Sequence, residues 1–231
     1  MKQIPSPNFN ARAAEIPLAY IVLHYTGMKD AASALARLCD PASQVSAHYL
    51  IGEEGDVAQL VAEDKRAWHA GQSVWRGITD LNSASIGIEL ANPGHEFGLR
   101  PFPAAQITSL KILMHDIVAR HKMNAAIAPL AHSDIAPSRK QDPGELFPWQ
   151  DLAQEGLGLW PEPADYAPAA EGEIAALLGA IGYDTTAPRD ALLAFQRRYR
   201  PASLTGIADA ETAALLRALS LRLRTIKERA P

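Results

Sequence analysis

Cysteine is almost absent: Cys39 is the only one in 231 residues. This excludes an intramolecular disulfide and a cluster of thiolate metal ligands, and leaves Cys39 the expected role of a small buried apolar residue in a helical segment. Nowhere is there an uninterrupted apolar run of the roughly 18 residues that a membrane helix needs. The opening stretch "MKQIPSPNFNARAAEIP" also lacks the apolar core of a secretory signal. The expectation is a cytoplasmic protein with no membrane segment, the alternative being the periplasm or cell envelope if a leader has been removed. An excess of positive charge is missing too. With 22 Lys and Arg against 26 Asp and Glu, the field that dominates nucleic-acid binding is not there, and no nucleic-acid partner is expected. What remains, 48% hydrophobic and 21% charged residues, is the composition of a globular chain long enough for one large domain and one small one.

The clearest boundary is "LWPEPADYAPAAEGE", residues 159–173, with three prolines between two patterned regions. It reads as a linker, giving a first domain over 1–158, a linker over 159–172 and a small domain over 173–231. The first domain alternates strand and helix signals. "LAYIVLHYTG" is a buried strand stopped by Gly27, "DAASALARLCDP" a short helix closed by Pro41, and "SAHYLIGEEGDVAQLV" a hairpin around a Glu-Glu-Gly-Asp turn. "SASIGIELAN" is a further strand with Glu89 near its end. "PAAQITSLKILMHDIVARHK" is a long helix with apolar residues at helical spacing, and "AAIAPLAH" is a short strand running to His132. The fold class expected is α/β: a mixed central sheet flanked by helices, followed by a small three-helix domain.

Three strands end at His24, Glu89 and His132, and ligand sites in α/β sheets gather at strand ends. After His132 comes "HSDIAPSRKQDPG". Its prolines, Pro137 and Pro143, remove backbone donors and restrict their predecessors, so it reads as a polar loop with no regular helix. Two imidazoles, His24 and His132, with the carboxylate of Asp142 and a fourth position open to water form a common ligand set for catalytic zinc. On spacing alone, a capping histidine and a turn-forming aspartate remain the other reading. Glu89 is a strand-end carboxylate able to take a proton from an activated water, and Lys140 is a cation able to steady an oxyanion. His48 on a hairpin strand and His69 beside Trp68 are either substrate contacts or packing residues. For His95, His115 and His121 the expected role is solvent, core or helix end.

"YIVLHYTG", "VSAHYLI", "AWHAG", "SIGIELAN" and "HSDIAPSRKQDPG", in this order, closely resemble the zinc-dependent N-acetylmuramoyl-L-alanine amidases of the amidase-2 type. The match spans roughly residues 15 to 150. It implies one Zn²⁺ per chain held by His24, His132 and Asp142, with Glu89 as general base and Lys140 as oxyanion partner. His48, Trp68 and His69 also fall in matching motifs, as candidate substrate contacts. The implied reaction is hydrolysis of the amide between N-acetylmuramic acid, or its anhydro form, and L-alanine of the stem peptide. The partner is then peptidoglycan or a muropeptide, and the rival is a protein that recognises muropeptides without cutting them.

The segment after the linker reads as three amphipathic helices. "LLAFQRRYRPASLTGIADAETAALLRAL" resembles the peptidoglycan-binding domain-1 family, with a similar FQ, G and D-x-x-T arrangement, but departs from it at the turn "PASLTG". The resemblance implies a wall-binding module that raises local substrate concentration. The other reading is an appendage that packs on the catalytic domain.

Overall fold

A computed structural model describes residues 1–163, 167–170 and 172–229. The strands are β1 (Lys2–Gln3), β2 (Phe9–Ala11), β3 (Tyr20–Tyr25), β4 (Tyr49–Ile51), β5 (Val57–Gln59), β6 (Lys65–Ala67), β7 (Ser85–Leu90) and β8 (Pro129–Ala131). The helices are α1 (Ala31–Cys39), α2 (Leu81–Ala84), α3 (Gly94–Phe97), α4 (Ala104–His121), α5 (His132–Ile135), α6 (Trp149–Gln154), α7 (Glu173–Ile181), α8 (Pro188–Tyr199) and α9 (Ala210–Arg229). Six strands form one sheet in the order β1-β5-β4-β7-β3-β8, and β2 pairs with β6 beside it. β4, β7, β3 and β8 run parallel, whereas β5 returns antiparallel to β4 through the hairpin read from "GEEGD". The sheet is therefore mixed, as expected from the sequence.

Period-2 alternation sorts the side chains of the central strands. Ile21 and Leu23 of β3 and Ile86, Ile88 and Leu90 of β7 pack with Leu110, Leu113, Met114 and Ile117 of α4. Val22 belongs to a different core on the opposite face. Two helices begin where side chains satisfy free N–H groups: Asp30 Oδ1 accepts from Ser33 N (2.7 Å) at α1, and Asp209 Oδ1 accepts from Thr212 N (3.0 Å) at α9.

Two expectations change. The stretch after β8 is not wholly irregular, because His132–Ile135 closes one helical turn. Asp134 Oδ2 accepts from Ala131 N (2.9 Å), Ala136 N donates back to the His132 carbonyl, and Pro137 then stops the turn. The proline-rich boundary, moreover, does not separate two cores. Residues 164–166 and 171 of the expected linker lie outside the described residues, but Leu159 and Trp160 pack against the same core as Val22, Trp75, Leu130 and Ile135. That core runs on without a break into Leu178, Tyr183, Phe195 and Leu216 of the three-helix unit.

A buried ion pair crosses the same junction. Arg198 of α8 donates to Asp134 Oδ2 (2.6 Å) and to the Pro129 carbonyl (3.1 Å), and Tyr183 donates to Asp134 Oδ1 (2.7 Å). Arg198 and Asp134 are only 6% and 0% exposed, and the guanidinium lies 3.9 Å from the centre of the Trp149 ring. Every oxygen of the carboxylate is occupied, which is the condition for such a pair to be tolerated. Removing one partner strands a buried charge, so Asp134→Ala should cost about 3–5 kcal/mol in denaturant unfolding. The double substitution Asp134→Leu with Arg198→Met should cost less than that single change.

Candidate metal and active site

Because Val22 faces away from α4, so does His24 two residues on, and Glu89 falls on the same side of β7. The register pairs His24 with Glu89 directly. An imidazole and a carboxylate thus stand side by side at the C-terminal ends of two parallel strands. His132 arrives from β8, the other neighbour of β3. Asp142, ten residues later, is brought back when Ser133 N donates to its carbonyl (3.0 Å).

The result is a tight triangle. His24 Nδ1, His132 Nδ1 and Asp142 Oδ2 lie 2.9 Å from one another, and all three residues are buried. Their hydrogens can be placed. His132 Nε2 sits 3.0 Å from the Ala70 carbonyl, which can only accept, so Nε2 carries the hydrogen and the neutral ring would present its Nδ1 lone pair to a metal. Burial, reinforced by the charge of His132, pushes His24 down to about 4, which favours its neutral form. Burial opposes ionisation of Asp142, yet His132 and His24 hold its carboxyl below the ordinary range. Two imidazole nitrogens and a carboxylate oxygen converging on one point fit the three protein ligands of a catalytic zinc with a fourth position open.

The back of the triangle is also built. His24 Nε2 is 3.0 Å from His69 Nδ1, and His69 Nε2 faces Ser85 Oγ at 3.4 Å. If His24 Nδ1 is left free for a metal, its Nε2–H donates to His69, and His69 in turn donates toward Ser85. Gly87 makes room for that ring, since a Cβ there would lie 2.4 Å from His69 Cγ.

A groove of about 810 Å³ opens onto the triangle, lined among others by Tyr25, Trp68, His69, Glu89, His95, Arg139 and Lys140. Among the described residues, none is a hydrogen-bond partner for buried Glu89 Oε2. Burial first, and then the charge of Asp142, raise its carboxyl well above the usual range, with Lys140 acting against them. A carboxyl so placed can hold and release a proton. Lys140 lines the same groove and its charge reaches both Glu89 and His24.

The candidate substrate residues divide. Trp68 and His69 reach the groove. His48 does not: it is 0% exposed, its Nδ1 accepts from Gly87 N (2.9 Å), and its Nε2 lies between Arg12 Nη2 (2.9 Å) and the Lys65 carbonyl (3.1 Å). It pins β4 and β6 to β7 and has no polar atom left for a substrate. His95, expected to be a bland surface or core residue, lines the groove instead. His121 pairs with Glu63 at 2.7 Å and exposed His115 lies on α4, both away from the groove.

The chain matches the N-acetylmuramoyl-L-alanine amidase family model over residues 14–145. It belongs to that family. The N-acetylmuramoyl-L-alanine amidase AmiD of Escherichia coli is 43% identical over 90% of this chain and 84% of its own. The solved complex of that enzyme with anhydro-N-acetylmuramic acid-L-Ala-D-γ-Glu-L-Lys has a TM-score of 0.80 and 40% identity, covering 92% of this chain and 93% of that one. AmpDh3 of Pseudomonas aeruginosa with anhydromuramic pentapeptide gives a TM-score of 0.82 at 31% identity, over 96% and 99% of the two chains. The 1,6-anhydro-N-acetylmuramyl-L-alanine amidase AmpD of Haemophilus influenzae is 32% identical and spans only 64% of this chain, though 88% of its own. The protein is thus an amidase of this class.

The contact behind His24 can be measured. Removing an outer partner of a ligating histidine typically weakens metal binding 10- to 100-fold. His69→Ala should therefore lower zinc affinity by about that factor in a chelator competition, with the fold intact by circular dichroism. Unchanged affinity would reduce His69 to a space-filling role.

Proposed function

We propose that this amidase is zinc-dependent and cuts the amide between the lactyl group of N-acetylmuramic acid, in intact or anhydro form, and L-alanine of the stem peptide. The single observation that carries the reading is the triangle of His24, His132 and Asp142, with Glu89 paired in register beside it. The anhydromuramic peptides in the two related structures support the substrate class. A muropeptide-recognition protein needs no such paired carboxylate, so hydrolysis is the better reading.

When bound, zinc supplies an acidified water and a Lewis acid for the scissile carbonyl. Glu89 takes the proton from the attacking water and delivers it to the leaving nitrogen, a role suited to a carboxyl whose proton affinity is raised. The Lys140 ammonium faces the oxygen on which negative charge develops. Trp68 gives one wall of the groove an apolar surface for sugar or peptide.

Zinc analysis and muropeptide digestion test these roles together. Glu89→Gln should keep its zinc and lose turnover by roughly a hundred- to ten-thousand-fold, whereas Asp142→Ala should lose the metal. Lys140→Met should retain zinc with turnover reduced about a hundredfold. A zinc-free wild type that releases no peptide would end the reading, as would full activity in both the Glu89 and Asp142 variants.

For the three-helix unit we propose wall binding through its outer surface, where Ile207 and Leu221 are 67% and 66% exposed. Since the unit shares the catalytic core, the test keeps the chain whole. Ile207→Asp with Leu221→Asp should reduce retention on insoluble peptidoglycan, and equal retention would leave the unit a packing element.

A further inference from the structure

One wall of the groove is held by a chain of polar groups that the reaction above does not use. Tyr25 Oη lies 2.9 Å from His95 Nδ1, His95 Nε2 lies 3.0 Å from Glu145 Oε2, and Arg197 Nε of α8 stands 4.0 Å from that same oxygen. The four residues come from the end of β3, from α3, from the loop after Asp142 and from the C-terminal unit. Only Tyr25 and His95 line the groove. Glycines clear the space around them: a Cβ on Gly94 would lie 2.5 Å from the Tyr25 ring, and one on Gly144 would meet Leu99 at 2.9 Å and His95 at 3.4 Å. Both glycines have positive φ, 65° and 88°, so a side chain is disfavoured there on two counts. Arg197 is mostly buried, its Nε has no hydrogen-bond partner among the described residues, and its charge faces Glu145.

The chain has a direction. Glu145 accepts and cannot donate, so His95 Nε2 carries the hydrogen toward it. When the ring is neutral, Nδ1 is an acceptor, and Tyr25 spends its one O–H on it. With the His95 backbone N–H also directed at the phenol oxygen, its remaining lone pair is all that Tyr25 can still offer a ligand. We infer that Tyr25 is a specificity-determining residue of the groove, held by Arg197, Glu145 and His95 as a hydrogen-bond acceptor for an amide N–H of the stem peptide. Helix α8 thereby takes part in substrate selection. The inference rests on the muropeptide reading proposed above.

The zinc-loaded full-length enzyme, assayed on an N-acetylmuramoyl peptide, separates the two. Release of free peptide by the wild type tests the reading; the variants test the inference. Tyr25→Phe should raise KM roughly three- to tenfold, the effect of one neutral hydrogen bond, with a smaller change in kcat and zinc content unchanged. Glu145→Gln can donate to His95 Nε2, which turns the ring's other hydrogen toward Tyr25 and makes the phenol a donor. It should therefore raise KM in the wild type and leave it unaltered in the Tyr25→Phe background. A residue with only a structural role would raise KM equally in both. KM within twofold of wild type in Tyr25→Phe, or an equal effect of Glu145→Gln in both backgrounds, overturns the inference. If Tyr25→Phe does not fold, His95→Ala, which frees the phenol O–H, should show the same rise in KM, and its absence overturns the inference too. If the wild type releases no peptide, calorimetric affinities for the same muropeptide replace KM and the same comparisons decide.

Discussion

Three lone pairs held at one point are the constraint on which the rest of this structure depends. His24, His132 and Asp142 would relax apart in a pliable chain, because neutral imidazole and carboxylate acceptors at 2.9 Å repel unless a cation or shared hydrogen lies between them. What resists is backbone. His24 stands on β3, hydrogen-bonded on both sides by β7 and β8. His132 heads a helical turn whose Asp134 is clamped by Arg198 and Tyr183. Asp142 is tied back through Ser133. Preorganisation of this kind spares the site from reordering its ligands when a metal arrives, and part of it comes from the C-terminal helices.

Much of this was legible in the sequence, and for physical reasons. The alternation Ser-Ile-Gly-Ile-Glu-Leu of β7 sorts Glu89 away from the α4 face, and the run ending at His24 marks a strand terminus where sites collect. Asp142 and Lys140 sit in a loop with no periodicity, so residue type and place after His132 made them candidates, and family resemblance supplied their roles. His48 and His69 show where reading residues in order stops. Both lie in matching motifs, yet one is sealed between the Gly87 amide and the Lys65 carbonyl while the other backs His24. The difference is made by Gly87, whose missing side chain admits one ring and whose N–H binds the other. His95 was hidden for a related reason: its partner Glu145 is 50 residues away, and nothing local announces a pairing across that distance.

The C-terminal unit is the larger lesson about boundaries. A proline-rich stretch signals a change of segment, but whether two segments share a core depends on which faces are apolar, and composition does not report that. Arg198 in "FQRRYR" looks like one of several surface charges; in the fold it is 6% exposed and paired with a fully buried aspartate. Two neighbouring arginines thus reach the catalytic domain at different points, Arg198 behind α5 and Arg197 at the groove wall.

The motif that made this unit resemble a wall-binding module is itself occupied with folding. Phe195 is fully buried, the Gln196 side chain accepts from Gly206 N (2.8 Å) and donates to the Ile207 carbonyl (3.0 Å), and Asp209 caps Thr212 at the start of α9. These residues shape the turn between α8 and α9, so they would persist in a unit that had lost its ligand as readily as in one that kept it. A module joined by a shared core also differs from one on a flexible tether. Its advantage in local concentration would require a wall strand to meet the outer helices and the groove at a fixed separation. Packing has removed the freedom that lets a tether search, and in return it has given the helices a hold on Glu145 and Asp134, which stand behind the residues that line the active site.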